Sequence, residues 1–319
     1  MPQKMRVVNA NDYNKLLKER GKVFNIMHSI LLSNANNQLK LGKGEPKYSN
    51  LLIKTMYAVG YILGLRLRQL CGFFEDYAKQ NTINIDIPDF TTLSRRLKKM
   101  EIKIVDKRPK YASNQEVELL IDSTTISIYG GTTHHAKQNT KYRKYFRYDQ
   151  TRKMHISLNQ SSKNVNGFLY TSGTLVDHQG LTPLVEQAVL TNKIISVKAD
   201  SAYDREPCYK TCHRHGINTI IQPIAPAAIK KHPMFAERNK ILKTIKSFED
   251  RDDGVLAWKK QMKYSKRSYS EAFFFRFKKI FGFSMKNIHE DNRKNELLIK
   301  CNIINEFNRL GLPKFVLAE

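Results

Sequence analysis

The sequence is poor in acidic residues, in cysteine and in long apolar runs. Against 55 lysines and arginines it has 29 aspartates and glutamates, a formal net charge of +26 at pH 7. This imbalance argues against an ordinary enzyme of small metabolites and indicates a polyanionic partner. Four cysteines scattered over 319 residues exclude a disulfide framework and fit a reducing compartment.

No stretch of the sequence is apolar for long enough to cross a bilayer. The longest apolar run, about residues 55–65, falls short of the ~20 residues required and lies between Lys54 and Arg66. The N-terminal residues MPQKMRVVNANDY lack the apolar segment of a signal peptide. We therefore expect a cytoplasmic protein.

What the sequence does contain is enough apolar residues for a full core, and basic residues along its whole length. Hydrophobic residues make up 41% of the chain, and its length suggests about two domains. The basic residues recur among tyrosines and phenylalanines, which makes nucleic acid the first candidate partner. Membrane-surface binding would concentrate charge in one helix, and a lysine-rich composition can also reflect the base composition of a genome.

The first 105 residues are predicted to form a helical domain. Helices are expected at about residues 13–32, from Ser49 to Val59, and from Arg66 to Ala78, with Gly60 and Gly64 loosening the chain between the last two. A further helix is predicted in PDFTTLSRRLKKM, residues 88–100. Its exposed side carries Arg95, Arg96, Lys98 and Lys99. Short helices ending in a basic one outline a helix-turn-helix module that enters a major groove; a solvated basic helix is the alternative.

After a linker at residues 103–113, the periodicity changes to strands. Residues 117–129 predict a first strand with Asp122 in its middle, where an unpartnered carboxylate is costly to bury. Two more strands are expected at residues 153–159 and 168–176. The loop at residues 130–148 is rich in Lys, Arg, His and Tyr, which suits phosphates and stacked bases. Its histidines, His134 and His135, are interpreted as DNA contacts or as residues without a role, not as metal ligands.

A second carboxylate is expected at the edge of the same sheet. IISVKAD predicts a strand that ends at Asp200, and the carboxyl edge of open α/β sheets is where ligands bind. Along the chain, the predicted elements are three strands, a helix, a strand, a helix, a strand, a basic insertion and a final helix. The insertion, at about residues 223–263, is expected to be irregular. If the fourth strand lies beside the first, a mixed five-stranded sheet brings Asp122 and Asp200 together.

The stretch YSKRSYSEAFFFRFK, residues 264–278, predicts a helix that carries a third carboxylate. At about 100° per residue, one arc of about 60° contains Tyr264, Arg267, Glu271 and Lys278. The apolar side is formed by Phe273, Phe274, Phe275 and Phe277. An ordinary ion pair between Arg267 and Glu271 is the alternative interpretation.

Three carboxylates without Cys or His ligands suit Mg²⁺ or Mn²⁺. Two such ions about 4 Å apart support in-line phosphoryl displacement. One other cluster, Cys208, Cys212, His213 and His215, has thiols at i,i+4, but it lacks the second spaced pair of a zinc site and fits an ordinary amphipathic helix better.

The order Asp122, Asp200 and Glu271, with Tyr264 and Arg267 upstream of the glutamate and Lys278 downstream, resembles the DDE transposases of bacterial insertion sequences. The resemblance is closest to the insertion sequence 5 family and its relatives. It also covers PDFTTLSRR (88–96), IDST (121–124), RKMH (152–155), ADSAYD (199–204) and RLGLP (309–313). The loop after the first aspartate has Tyr and Phe where relatives often have Trp, and Ser follows the second aspartate where Gly is common.

The resemblance implies a ribonuclease-H-like catalytic domain at residues 114–319 behind the helical domain at residues 1–105. It implies Asp122, Asp200 and Glu271 as catalytic ligands of two Mg²⁺ or Mn²⁺ ions. Tyr264, Arg267 and Lys278 would contact the transposon end, residues 1 to about 100 would help recognise the inverted repeats, and the working form would be a homo-oligomer on DNA. A nuclease or resolvase on the same core, or a non-catalytic DNA-binding derivative, are the alternatives.

Overall fold

The structure, a computed structural model, describes residues 5–38, 45–105, 116–128 and 151–317. The chain forms two compact units: Met1–Lys103 together with Lys286–Glu319, and Ile104–Met285. The predicted loop at residues 130–148, with His134 and His135, lies outside the described residues, as does most of the predicted linker. The second unit ends earlier than the predicted catalytic domain of residues 114–319, so the boundaries of the two functional domains stay a prediction.

The elements follow in chain order. The helices are α1 (Ala10–Arg20), α2 (Val23–Gln38), α3 (Asn50–Leu63), α4 (Leu67–Gln80), α5 (Phe90–Lys99), α6 (Leu181–Val189), α7 (Glu206–Arg214), α8 (Ala236–Lys246), α9 (Arg251–Gln261), α10 (Ser268–Phe281) and α11 (Glu290–Leu310). The strands are β1 (Met5–Val7), β2 (Glu116–Ser127), β3 (Thr151–Asn159), β4 (Val165–Ser172), β5 (Lys193–Ala199), β6 (Asn218–Ile221) and β7 (Phe315–Leu317). Within the described segments, no helix is long and apolar enough to span a membrane.

The first unit is helical, with a small antiparallel pairing of β1 and β7. The predicted single helix at residues 13–32 is wrong: α1 ends at Arg20, and a separate helix, α2, runs from Val23 to Gln38. Ser49 caps α3 as expected, because its Oγ accepts the N–H of Leu52 at 3.0 Å. Gly60 does not loosen the chain. It lies inside α3, where a Cβ would be 3.0 Å from the side chain of Leu70 on α4. The absence of a side chain at Gly60 therefore allows α3 and α4 to pack closely.

The second unit contains the predicted mixed sheet, with strand order β4-β3-β2-β5-β6. Strand β2 pairs antiparallel with β3 and parallel with β5, which confirms that the fourth predicted strand lies beside the first. Central strand β2 is apolar at Leu119, Leu120 and Ile121, which are fully buried. One face of the sheet packs on α6 and α7, and α10 packs against β2.

The insertion at residues 223–261 is not irregular, which corrects the prediction. Its prolines precede two helices, α8 and α9, which pack against each other. Trp258 is 1% exposed in an apolar cluster with Ile241, Ile245 and Tyr264. Gly254 permits the close approach of α8 and α9, since a Cβ there would be 2.3 Å from the Ile245 carbonyl oxygen. The insertion therefore has a small core of its own.

Replacing Gly180 with alanine is expected to destabilise the protein by about 1–3 kcal/mol because it overpacks the core. A Cβ at this position would be 2.4 Å from Nδ1 of His155, a fully buried ring that cannot move aside freely. The measurement is the free energy of unfolding in urea.

The matched control is Gly72→Ala in the exposed middle of α4, where a Cβ meets nothing within 4 Å. This change is expected to stabilise the protein by about 0.5–1 kcal/mol, because it removes the backbone entropy of a helical glycine. Equal effects of the two changes would contradict the packing described for Gly180.

Candidate active site

Two aspartates lie level with each other on adjacent parallel strands. Leu120 of β2 is opposite Lys198 of β5, and Asp122 and Asp200 each follow two residues later. Side chains two apart share a face, so both carboxylates lie on the same side of the sheet. Burial is the main cause that raises the pKa of Asp122, and the charge of Asp200 adds to that rise. The expected approach of the two aspartates is therefore present.

Asp122 accepts two hydrogen bonds, lies near one cation and is mostly shielded from solvent. The Ser123 N–H donates to its Oδ1 at 2.8 Å, and the Ser270 hydroxyl donates to its Oδ2 at 2.8 Å. Nη1 of Arg267 lies 3.7 Å from the same Oδ2, and the Asp122 side chain is 15% exposed. Burial raises the pKa of Asp122, and the two hydrogen bonds and the charge of Arg267 oppose that rise without cancelling it.

Asp200 begins a short 3₁₀ turn at Ser201–Tyr203, and its Oδ1 accepts the Ala202 N–H at 2.9 Å. Burial raises its pKa as well, with Glu271 among the neighbouring carboxylates that add to the rise and Arg267 opposing it. Two desolvated aspartates at one sheet edge are costly for the fold, which is typical of a functional site.

Glu271 lies in the first turn of α10 and is the most exposed of the three carboxylates, at 56%. The Arg267 guanidinium donates to Glu271 Oε1 and also approaches Asp122. The simple ion pair considered from the sequence is therefore present, but it is part of a larger arrangement in which one cation lies among acidic groups.

Tyr264 and Arg267 do not belong to the same α-helix as Glu271, which corrects the prediction of one continuous helix. They form a 3₁₀ turn, Tyr264–Arg267, and α10 begins only at Ser268. Tyr264 is 7% exposed and its hydroxyl donates to the carbonyl oxygen of Ala199 at 2.9 Å. It thus holds the end of β5 beside Asp200, and burial raises the pKa of its phenol to about 12. Contact of Tyr264 with DNA stays a prediction.

Only part of the expected aromatic face of α10 is buried. Phe273, Phe274 and Phe277 are buried, but Phe275 is 70% exposed, on the same side of the helix as Glu271. Lys278 is half-buried further along the helix. Its role as a DNA contact stays a prediction.

The basic helix of the first unit has one covered and one exposed side. Leu93 and Leu97 of α5 are fully buried, and Asn295 of α11 donates to the carbonyl oxygen of Leu97 at 2.7 Å. Arg95, Lys98 and Lys99 are exposed, and Arg96 is half-buried and donates to Asn50 Oδ1 at 2.7 Å. This geometry suits both the groove-binding and the solvated interpretation, so the role of these four side chains stays a prediction.

The described residues contain no group of three or more His, Cys, Asp or Glu side chains arranged to hold a metal ion. Glu271 is turned to Arg267 instead of joining the aspartates. The chemistry of the donors nevertheless fits a hard divalent cation, because the Asp122 and Asp200 carboxylates and the Ser270 hydroxyl on this side of the sheet are all oxygen ligands. Asp122 and Asp200 are the two residues best placed to hold such an ion.

The cysteine cluster considered from the sequence lies in an apolar environment. Cys208 and Cys212 are fully buried on α7, and burial raises the pKa of each thiol to about 12, so the thiolate that binds metal is disfavoured. His213 is exposed, and His215 is within 3.1 Å of Glu186.

Three residues near the aspartates were missed in the sequence. Ser270 is the direct neighbour of Glu271 in the chain, and its hydroxyl reaches Asp122 across the fold. Tyr203 is 1% exposed, and after burial the charges of Asp122, Asp177 and Asp200 are the main causes that raise its pKa. The only signal for Asp177 was an acidic residue between a strand and a helix, which is too common to single out.

Residues 113–305 match a protein family described as "Transposase DDE domain", and residues 18–131 match a second family of the same description. Among solved structures, the chain aligns with one titled "Drosophila P element transposase strand transfer complex". That alignment has a TM-score of 0.35 and 10% identity over 88% of this chain and 70% of the other, and a likeness this low supports no argument. The first family match spans more than half of the chain, which therefore belongs to the transposase DDE domain family.

Proposed function

We propose that this chain is the transposase of a bacterial insertion sequence related to the insertion sequence 5 family. In this role it binds the terminal inverted repeats of its element, cleaves DNA strands at the ends and joins the freed 3′-hydroxyls to target DNA. The observation that carries the proposal is the pair of half-buried aspartates, Asp122 and Asp200, level with each other on one face of the sheet beside the helix that bears Glu271. It acts in the cytoplasm, on the nucleoid.

Asp122, Asp200 and Glu271 are the residues that would hold divalent ions, two Mg²⁺ or Mn²⁺ per site. Bound there, the ions would activate water and stabilise charge on the phosphate that is cut. The protein's own contribution is to orient the ligands: Ser123 and Ser270 fix both oxygens of Asp122, and the Ala202 N–H fixes Asp200. Glu271 is the ligand that has to leave its pairing with Arg267.

DNA binding is assigned to the basic residues around this site and on α5. Arg267 and Lys278 suit phosphates of the transposon end, with Tyr264 at the base of the turn that carries Arg267. The exposed side of α5, with Arg95, Lys98 and Lys99 and the half-buried Arg96, suits the inverted repeats. Cutting two ends of one element calls for two copies of the site, so we assign a homo-oligomer assembled on DNA as the working form.

The experiment combines purified protein with DNA that carries the element's ends and with Mg²⁺. Free 3′ ends followed by joined products support the proposal. Cleavage without joining would favour a nuclease or resolvase, and DNA binding without cleavage in either Mg²⁺ or Mn²⁺ would favour a non-catalytic DNA-binding derivative. Ca²⁺, which binds oxygen ligands with looser geometry, provides the binding-only comparison.

Binding to the end DNA is expected to weaken steeply with salt. A protein that neutralises about six phosphates loses roughly 10³-fold in affinity between about 50 and 200 mM salt. The net charge of +26 makes such a contact number reasonable. Fluorescence anisotropy of labelled end DNA over a salt series measures the slope. An affinity that does not change with salt would contradict phosphate contacts as the main source of binding.

A further inference from the structure

Two sequence stretches of the family resemblance, IDST and RKMH, contain side chains that the proposed function does not use, namely the Ser123 hydroxyl, Lys153 and His155. Ser123 follows Asp122 in β2, so its side chain lies on the opposite face of the sheet. On β3, His155 is directly opposite Ser123, and Lys153 is two residues before it on the same face. These side chains surround a fourth acidic residue, Asp177.

Asp177 accepts two short hydrogen bonds from this face of the sheet. The Ser123 hydroxyl donates to Asp177 Oδ1 at 2.6 Å, and Lys153 Nζ donates to the same oxygen at 2.7 Å. Lys153 is 14% exposed and also donates to the Leu175 carbonyl oxygen at 2.6 Å. Burial alone would raise the pKa of Asp177, but the bonds from Lys153 and Ser123 outweigh it and lower that pKa. Asp177 is therefore a charged acceptor in a fixed place.

The turn that carries Asp177 is pressed against the sheet. It is a 3₁₀ turn, Asp177–Gly180, and Gly180 touches the buried ring of His155, as described above. The opposite ring nitrogen of His155, Nε2, lies 3.0 Å from the hydroxyl of Thr171 on β4. The turn therefore cannot shift without disturbing β3 and β4, and this packing fixes the position of Asp177.

Ser123 connects Asp177 to Asp122, because it donates one hydrogen bond to each of them. Its hydroxyl donates to Asp177, and its backbone N–H donates to Asp122 Oδ1 at 2.8 Å. We propose that Asp177 is a positioning residue for strand cleavage, which acts through Ser123 to fix the orientation of the Asp122 carboxylate. This inference rests on the proposed function of Asp122 as a metal ligand. Groups that orient a metal ligand typically change metal affinity or activity by about 10–100-fold when removed.

The 3₁₀ turn that carries Asp177 also packs against the turn that follows Asp200. The charge of Asp177 is accordingly one of the contributions that raise the pKa of Asp200 after burial. Its own bond to Lys153 makes it a poor metal ligand, since that ammonium already occupies the oxygen that faces the sheet. The arrangement therefore favours orientation of Asp122 over a further place for an ion.

The test compares Asp177→Asn, Ser123→Ala and Ser123→Thr in the full-length protein. Asp177→Asn and Ser123→Ala are each expected to slow cleavage of end DNA by about 10–100-fold and to weaken Mn²⁺ binding, measured by electron paramagnetic resonance, by a similar factor. DNA affinity should not change. Ser123→Thr keeps the hydroxyl and is expected to retain wild-type values. The double variant Asp177→Asn with Ser123→Ala should be no worse than either single variant, because both break one chain of bonds.

Glu237→Gln is the matched control, because Glu237 pairs with Lys240 at 2.6 Å on the surface of α8. It should match the wild type in all three measurements. Suppose that thermal denaturation shows the Asp177→Asn protein to be folded, and that it cleaves DNA and binds Mn²⁺ like the wild type. This result would overturn the inference about Asp177 but not the proposed function. Wild-type protein that binds Mn²⁺ but never cleaves DNA would overturn the proposed function, while the Mn²⁺ comparison would still decide the role of Asp177. Wild-type protein that neither binds Mn²⁺ nor cleaves DNA would overturn both the proposed function and the role of Asp177.

Discussion

Replacing Asp122 or Asp200 with asparagine is expected to reduce cleavage of end DNA by about 10³-fold or more, equivalent to ~4 kcal/mol of transition-state stabilisation. Glu271→Gln is expected to have an effect of the same order. Each change keeps the size of the side chain and removes the negative charge that a divalent ion needs. Cleavage rates on labelled end DNA in Mg²⁺ and binding by gel shift in Ca²⁺ are the measurements, and binding should be retained.

The control for Glu271 is Glu290→Gln at the start of α11. Glu290 is 51% exposed and pairs with Arg293 at 3.0 Å, much as the 56% exposed Glu271 pairs with Arg267. Its replacement should leave the cleavage rate unchanged. Near wild-type cleavage in any of the three active-site variants would remove that residue from the catalytic set.

Loss of folding does not explain the expected effect of the aspartate variants. Burial raises the folded-state pKa of Asp200, so at neutral pH its charged form costs stability, and this cost disappears as pH falls through the raised pKa. Asparagine removes the cost at every pH. The metal-free Asp200→Asn protein is therefore expected to melt at the wild-type temperature or above it at pH 7.

Arg238→Ala is expected to destabilise the protein by about 3–5 kcal/mol, since it leaves a buried carboxylate without its charged partner. Arg238 and Asp204 are 6% and 4% exposed, and Arg238 Nε donates to Asp204 Oδ1 at 2.7 Å. Asp204 also accepts the Tyr209 hydroxyl and the Ile224 N–H, each at 2.8 Å. The pair joins α8 of the insertion to the turn that follows Asp200. Urea unfolding of the metal-free protein is the measurement.

Lys240→Ala is the surface control, because Lys240 is 72% exposed in its pair with Glu237. Its effect should stay within about 0.5 kcal/mol. The double variant Arg238→Ala with Asp204→Ala should lose less than the sum of the single changes, because the orphaned charge is gone. An Arg238→Ala effect as small as that of Lys240→Ala would contradict the burial of this pair.

The sheet was predictable because its strands have simple patterns. Apolar runs and alternation indicated all five strands, although β4 spans Val165–Ser172 where residues 168–176 were predicted. The helix before β5 required a crossover that places β5 beside β2. The helices of the insertion were not predicted, because prolines and lysines dominate its composition. Its apolar residues pack mainly against one another, and this packing gives no strong periodic signal over a short helix.

Within the active site, the sequence identified the charges but not the contacts that hold them. Asp122, Asp200 and Glu271 stood out because acidic residues are few in this chain, and because one aspartate lies within a predicted strand and the other at the end of one. The bonds from Ser270 to Asp122 and from Tyr264 to Ala199 join residues far apart in the chain and depend on tertiary packing. Tyr264 in particular was assigned to a helix face on the assumption of one regular helix, which the 3₁₀ turn breaks.

The parallel pairing of β2 with β5 joins strands that are far apart in the chain. Neighbouring antiparallel strands β3 and β4 can pair while the chain is being synthesised, but β5 can pair with β2 only after β3, β4 and α6 have been synthesised. Asp122 and Asp200 meet at that late step, and Glu271 leaves the ribosome later still. An unfinished polypeptide thus has no assembled acidic centre, because the three carboxylates can meet only after translation has passed Glu271.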